Sequence, residues 1–183
     1  MFYLLLFVVI LAFIVFVPIS IYNSMVKHRN MVDEAWSGIE VQLKRRSDLI
    51  GNLVEAVKGY ATHEKNLLEK VTLARAAATQ SSSISERAQA EGALQQALRS
   101  LFAVAENYPE LKANENFLNL QNTLSELEQD IQMARRYYNG AVREYNNMIQ
   151  VFPNNLFASM FGFSKREYFD APEEDLDVPQ VKF

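Results

Sequence analysis

The chain opens with an unbroken apolar run, then switches to a helical alternation of apolar and polar positions that continues almost to its end. From Phe2 to Val17 only the Tyr3 hydroxyl interrupts the apolar run, and the first charged side chain is Lys27. At about 1.5 Å per residue, twenty helical residues cover about 30 Å, the hydrocarbon thickness of a bilayer. A helix over about residues 3–22 is therefore expected to span a membrane with its backbone satisfied internally. Pro18 is expected to kink it near the exit, where Ser20, Tyr22 and Asn23 suit the polar interface. A cleaved signal peptide is the alternative, but the stretch lacks a basic leader and a small-x-small cleavage site.

Beyond the span, Met25, Val32, Ala35, Trp36, Ile39, Leu43, Ile50, Leu53, Val57 and Tyr60 recur at helical spacing, so the helix continues straight out of the apolar run. Leu67, Val71, Ala74 and Ala78 mark a second segment, which either continues the first or bends near 59–62. The clearest break is 79–85, where Ser83 and Glu86 have the spacing of a capping box. Leu94, Leu98, Leu101 and Ala105 form the inner face of a third segment, ending near Pro109. A connector over 107–114 leads to Asn114, an N-cap candidate. The last long helix carries the most regular seam: Phe117, Leu120, Leu124, Leu127, Ile131, Ala134, Tyr138, Ala141, Tyr145, Met148 and Phe152. That is about five heptads and roughly 50 Å of helix, closed by Pro153.

The expected fold is all-α: an N-terminal transmembrane helix (1–25), then a long-helix antiparallel four-helix bundle (26–153). A short aromatic helix over 154–169 follows, expected to fold back as a cap, with the membrane or a partner as its other possible contact. An acidic, extended tail occupies 170–183. The formal net charge of −4, without a dominant basic face, argues against nucleic-acid binding. The absence of cysteine removes disulfides and thiolate chemistry. Lys27 and Arg29 follow the span at once, so the positive-inside rule puts the bundle in the cytoplasm and the N-terminus outside.

Candidate chemistry is sparse. His63-Glu64 begins like a zinc-protease helix, but Leu67 stands where the second histidine would be, and His28 is equally isolated. Tyr60 stands where a di-iron bundle would want the glutamate of Glu-x-x-His. No serine has an evident base, no glycine-rich loop could cradle phosphate, and carboxylates sit mostly at outward helical positions. No catalytic, cofactor-binding or metal residues are therefore assigned, and no cofactor is expected. Arg45, Arg46 and Asp48 on the first helix, with Glu128, Arg135 and Arg136 on the last, are expected to pair between helices and fix register. The candidate interaction residues are Trp36, Asn139 and Asn146 on outward faces of the long helices, Phe157 and Phe161 in the aromatic segment, and Val181 and Phe183 at the C-terminus. Asn139 and Asn146, seven apart on a face beside the seam, have a hydrogen bond across the bundle as their other reading. Val181-x-Phe183 with a free carboxylate suits a domain that captures apolar C-termini by strand addition; a frayed tail is the simpler reading.

Tyr22–Glu64 resembles the signature stretch of the LemA family, and Glu106–Ile131, Ala134–Asn155, Phe161–Phe169 and the closing PQVKF are similar to its later blocks. One departure is Gly51, where the family pattern has proline within a Leu-Ile-Pro-Asn run. The resemblance implies a single-pass bacterial membrane protein with a helical bundle and no established catalytic activity. It also implies gene neighbourhoods shared with membrane zinc metalloproteases or other envelope proteins. The expected function is a non-catalytic, membrane-anchored scaffold of the bacterial cell envelope, in the inner membrane, contacting the lipid bilayer and self-associating into a homo-oligomer. The alternative is an adaptor or regulator of a membrane protease or signalling partner, working through its apolar C-terminal tail.

Overall fold

A computed structural model describes residues 1–169; the acidic tail, Val181 and Phe183 lie outside the described residues. The fold is all-α, without a strand among the described residues. The elements are α1 (Phe2–Lys58), α2 (Lys65–Gln80), α3 (Ile84–Ala105), the single turn α4 (Pro109–Lys112), α5 (Glu115–Gln150) and α6 (Asn154–Phe161). The open question over 59–62 is answered by a break: α1 ends at Lys58 and α2 begins at Lys65. The 79–85 break narrows to three residues, because α2 runs through Gln80 and Ile84 already opens α3. Pro18 lies inside α1 without ending it, as membrane-type helices allow when neighbouring groups absorb the one lost hydrogen bond.

Close contacts group the residues into two compact units, so the expected 26–153 bundle is shared between them. The first comprises Met1–Ser37 and Arg136–Glu167, and the second comprises Gly38–Arg135 with Tyr168 and Phe169.

In the second unit, four helical stretches form the antiparallel bundle. Ile50, Leu53 and Val57 of α1, Leu68 and Val71 of α2, Leu94, Ala97 and Leu101 of α3, and Phe117 and Leu124 of α5 form one continuous core. Each fully buried aliphatic side chain of this kind contributes about 1.5–3 kcal/mol. Short connectors impose the antiparallel order, and their own side chains close them. Ser83 accepts from the Glu86 amide while Glu86 reaches back to the Ser83 amide, completing the expected capping box at the start of α3. Asn114 accepts from the Phe117 amide at 3.1 Å and caps α5, as its sequence position predicts. Its amide also donates to the Tyr60 hydroxyl at 3.0 Å, and Tyr108 donates to Glu64 at 3.3 Å, tying two connectors together.

In the first unit, α1 and α5 run antiparallel: Ser24 meets Met148, and Trp36 meets Tyr138. Met25, Val32 and Ala35 are buried, as are Tyr138, Ala141, Val142, Tyr145 and Ile149. The apolar residues before them are not: Leu5, Val9 and Phe13 are 67%, 56% and 69% exposed. Phe152, expected at the end of the α5 seam, is instead 79% exposed, because α5 stops at Gln150, ahead of the turn into α6.

Candidate functional site: a buried ion triad and a clasped return segment

Two polar constellations stand out, one in each unit. In the second, Arg46 of α1 is 2% exposed and is paired with Glu91 of α3, which is 3% exposed, and with Glu128 of α5. The Arg46–Glu128 contact is a hydrogen bond of 2.7 Å. Three helices are thus joined through one guanidinium. Burial pushes the Arg46 pKa down, Glu128 opposes that shift, and the positive charge of Arg135 adds to it. Glu128 keeps partial access to water through a cleft of about 300 Å³ whose walls include Gln95, Arg99, Gln121 and Ser125. Taking either partner away from an ion pair buried this deeply would leave an uncompensated charge in the core.

On the other side of Glu91 a second cleft, of about 520 Å³, opens among α1, α2 and α3. Its two arginines are engaged internally: Arg75 donates to Ser47 Oγ at 3.0 Å, and Arg87 to the Ser81 carbonyl at 3.2 Å. Gly51 accommodates Arg75, since a Cβ there would stand 3.0 Å from Arg75 Nη1.

In the first unit, the chain turns back after α6 at Gly162, whose φ of 73° is a left-handed conformation that favours glycine. The following segment is clasped by one face of α5. Tyr138 donates to the Glu167 carbonyl at 2.9 Å and Tyr145 to the Ser164 carbonyl at 3.0 Å. Asn146 donates to the Arg166 carbonyl and accepts from the Arg166 amide, both at 2.9 Å. Arg166 then pairs with Asp33 of α1 at 2.9 Å. Positions 138, 145 and 146 are seven and eight apart, so they share one helical face. Burial pushes the Tyr138 phenol up to about 12, partly offset by Arg166, and raises that of Tyr145 in the same way.

These positions revise part of the expected interaction surface. Asn146 is not on an outward face: it is 6% exposed, and its amide is used to hold the return segment. Trp36 is half-buried, with its ring edge 5.5 Å from Tyr138. Asn139 and Phe157 are half-buried as well. Phe161 is partly exposed, with its ring edge 5.1 Å from Tyr22. The predicted pairing of Arg46 with Glu128 is present, Asp48 pairs instead with Lys44 on its own helix, and Arg135 lies over the Phe169 ring.

Glu91 is the residue that the outward placement of carboxylates misses. Its signal was present: Glu91 stands three before Leu94, in register with Leu98 and Leu101 on the buried face of α3. His28 bonds the Ser24 carbonyl of its own helix at 2.8 Å, and His63 is exposed. Among the described residues, no three His, Cys, Asp or Glu side chains gather where they could hold a metal ion.

The model of the LemA family matches residues 35–183. Protein LemA of Metamycoplasma hominis is 27% identical, over 97% of this chain and 82% of its own length. Magnetosome protein MamQ 1 of Paramagnetospirillum magneticum is 26% identical, over 87% of this chain and 70% of its own. Magnetosome protein MamQ of Magnetospirillum gryphiswaldense is 24% identical over the same shares. Since the family match runs from the middle of α1 through every later helix and takes in Arg46, Glu91, Glu128 and the α5 residues that hold the return segment, this chain belongs to the LemA family.

Proposed function

We infer that the protein is a non-catalytic scaffold, anchored in a bacterial inner membrane by the first part of α1 and self-associating through its helical body. The observation that carries this reading is α1 itself. One unbroken helix passes from an apolar stretch with no buried side chain to positions buried in a folded body. The apolar stretch carries no charged side chain before Lys27, which fits a lipid environment. No flexible linker intervenes between the apolar stretch and the buried positions of the first unit. Confinement to two dimensions raises the effective concentration of neighbouring copies, so modest contacts suffice for assembly. Lys27 and Arg29 support a cytoplasmic body. The MamQ relatives are named magnetosome proteins, a name compatible with a structural role. The buried polar groups fit the same role, since they are spent on helix register and on holding the return segment.

The experiment is extraction of the full chain from its own membranes into lipid-containing particles, with the mass and composition of each particle measured. Several copies of this chain per particle support the scaffold. A monomer with a second protein attached supports an adaptor instead, and deleting the last three residues then tests the apolar tail as the point of contact.

A further inference from the structure

The membrane anchor accounts for the exposed apolar run at the start of α1 but not for a second apolar ridge in the same unit. Phe152, Leu156 and Met160 are 79%, 59% and 67% exposed, and Val151 and Phe161 are exposed beside them. Leu156 and Met160 are four apart in α6 and so share a face, while Ala158 is buried on the opposite one and Phe157 is half-buried at the flank. Three bulky apolar side chains left this open on one short segment call for an apolar cover.

What covers them is indicated by where α6 ends. The Tyr22 ring meets Phe161 at 5.1 Å and Phe163 at 5.8 Å between centroids, both edge-on. Tyr22 is the last residue of the expected span, at the depth where tyrosine marks the lipid–water boundary. The C-terminal end of α6 is therefore held against α1 at the point where α1 leaves the bilayer. Arg29, over the Phe163 ring at 5.4 Å, braces the same junction from the solvent side.

We propose that segment 151–161 is a second, non-spanning membrane contact, with Phe152, Leu156 and Met160 seated in the boundary between headgroups and acyl chains. The occupant is the bilayer that holds α1, because the ridge is continuous with the exit of that helix. An interfacial helix of this kind buries its apolar face about 5–10 Å deep, and the polar Asn155 and Ser159 border the ridge along one side. Two contacts, one spanning and one interfacial, fix the rotation of the first unit about the axis of α1, which a lone spanning helix leaves free. This inference rests on the anchor reading.

The absence of native cysteine makes the test direct. Single variants Met160→Cys, Phe13→Cys and Ser37→Cys of the full chain, each carrying a nitroxide, are reconstituted into phosphatidylethanolamine–phosphatidylglycerol vesicles. Collision with oxygen, which concentrates among acyl chains, is compared with collision with a water-soluble nickel chelate. Ser37 is exposed and lies about 22 Å along α1 beyond Tyr22, so it reports water. The oxygen-to-nickel ratio at Met160→Cys is expected to exceed that at Ser37→Cys several-fold and to fall below that at Phe13→Cys. If Phe13→Cys reports lipid while Met160→Cys matches Ser37→Cys, the inference is overturned and the anchor stands. If Phe13→Cys also reports water, the anchor reading falls and this inference with it. Shielding of Met160→Cys from both reagents, with dipolar broadening between labels, would put a second copy of the chain on the ridge and likewise overturn the proposal.

Discussion

Replacing Arg46 by methionine removes the one positive charge that Glu91 and Glu128 share. Methionine matches the aliphatic volume of the arginine stem, so packing changes little and the effect reports charge. Glu91, 3% exposed, is left as a buried carboxylate facing a second carboxylate. Removing one partner of a buried pair costs about 3–5 kcal/mol. For a folded body of this size, about 1 kcal/mol moves the melting temperature by about 2–4 °C, so a drop of roughly 6–20 °C is expected. The double variant Arg46→Met/Glu91→Met removes both deeply buried charges, while Glu128 can turn to water through its cleft. It is expected to regain most of the loss and to fall within about 1–2 kcal/mol of the parent. The assay is urea and thermal unfolding of purified full-length protein followed by far-ultraviolet circular dichroism, at low salt and in 1 M NaCl. Screening acts on exposed pairs and barely on buried ones, so the Arg46→Met penalty should survive high salt. A single variant within about 1 kcal/mol of the parent, or a double variant no more stable than the single, would refute the account of the triad.

Three further outcomes follow from the geometry. Tyr138 has its pKa raised from near 10 to about 12, so above pH 10 the unfolded chain gives up a proton that the folded chain keeps. Its contribution to stability is complete below pH 10 and lost as pH rises toward 12; Tyr138→Phe should flatten that alkaline decline in the urea midpoint, and an unchanged slope would contradict it. Asn146→Ala removes two hydrogen bonds to the backbone of Arg166 and should cost about 1–3 kcal/mol. It should also speed tryptic cleavage after Lys165 and Arg166, and cleavage at the parental rate would show that the clasp does not hold the segment. Gly51→Ala gains up to about 1 kcal/mol of helix propensity, while the half-exposed Arg75 swings away and gives up its bond to Ser47. The two effects nearly offset, so unfolding should shift by less than about 0.5 kcal/mol, and a larger loss would mean that Arg75 cannot move.

The elements that local chemistry specifies were legible in the sequence. The apolar run, the Ser83–Glu86 capping box and the Asn114 cap each follow from a few adjacent residues, and all three are present. The α5 seam held from Phe117 to Tyr145 because its spacing of three and four has one geometric solution. It failed at Phe152, where the helix had already ended, and it passed over Val142 and Ile149, which widen the buried stripe beyond a coiled-coil seam. The polar sites were harder to read. Arg46–Glu128 followed from charge on facing helices, but Glu91 was hidden by the habit of placing carboxylates outward. Asn146 reads identically as a subunit contact or an internal clasp, because its partner is a backbone segment twenty residues on, placed there by the turn at Gly162. Long-range backbone partners leave no periodic trace.

The most direct test of the central reading is the native mass of the full chain in particles cut from its own membrane with the surrounding lipid retained. A membrane-anchored scaffold predicts that the protein enters only lipid-containing particles and that their protein mass is a multiple of one chain, with no second protein in fixed ratio. A single copy per particle, or full recovery of the chain in the soluble fraction, would contradict it.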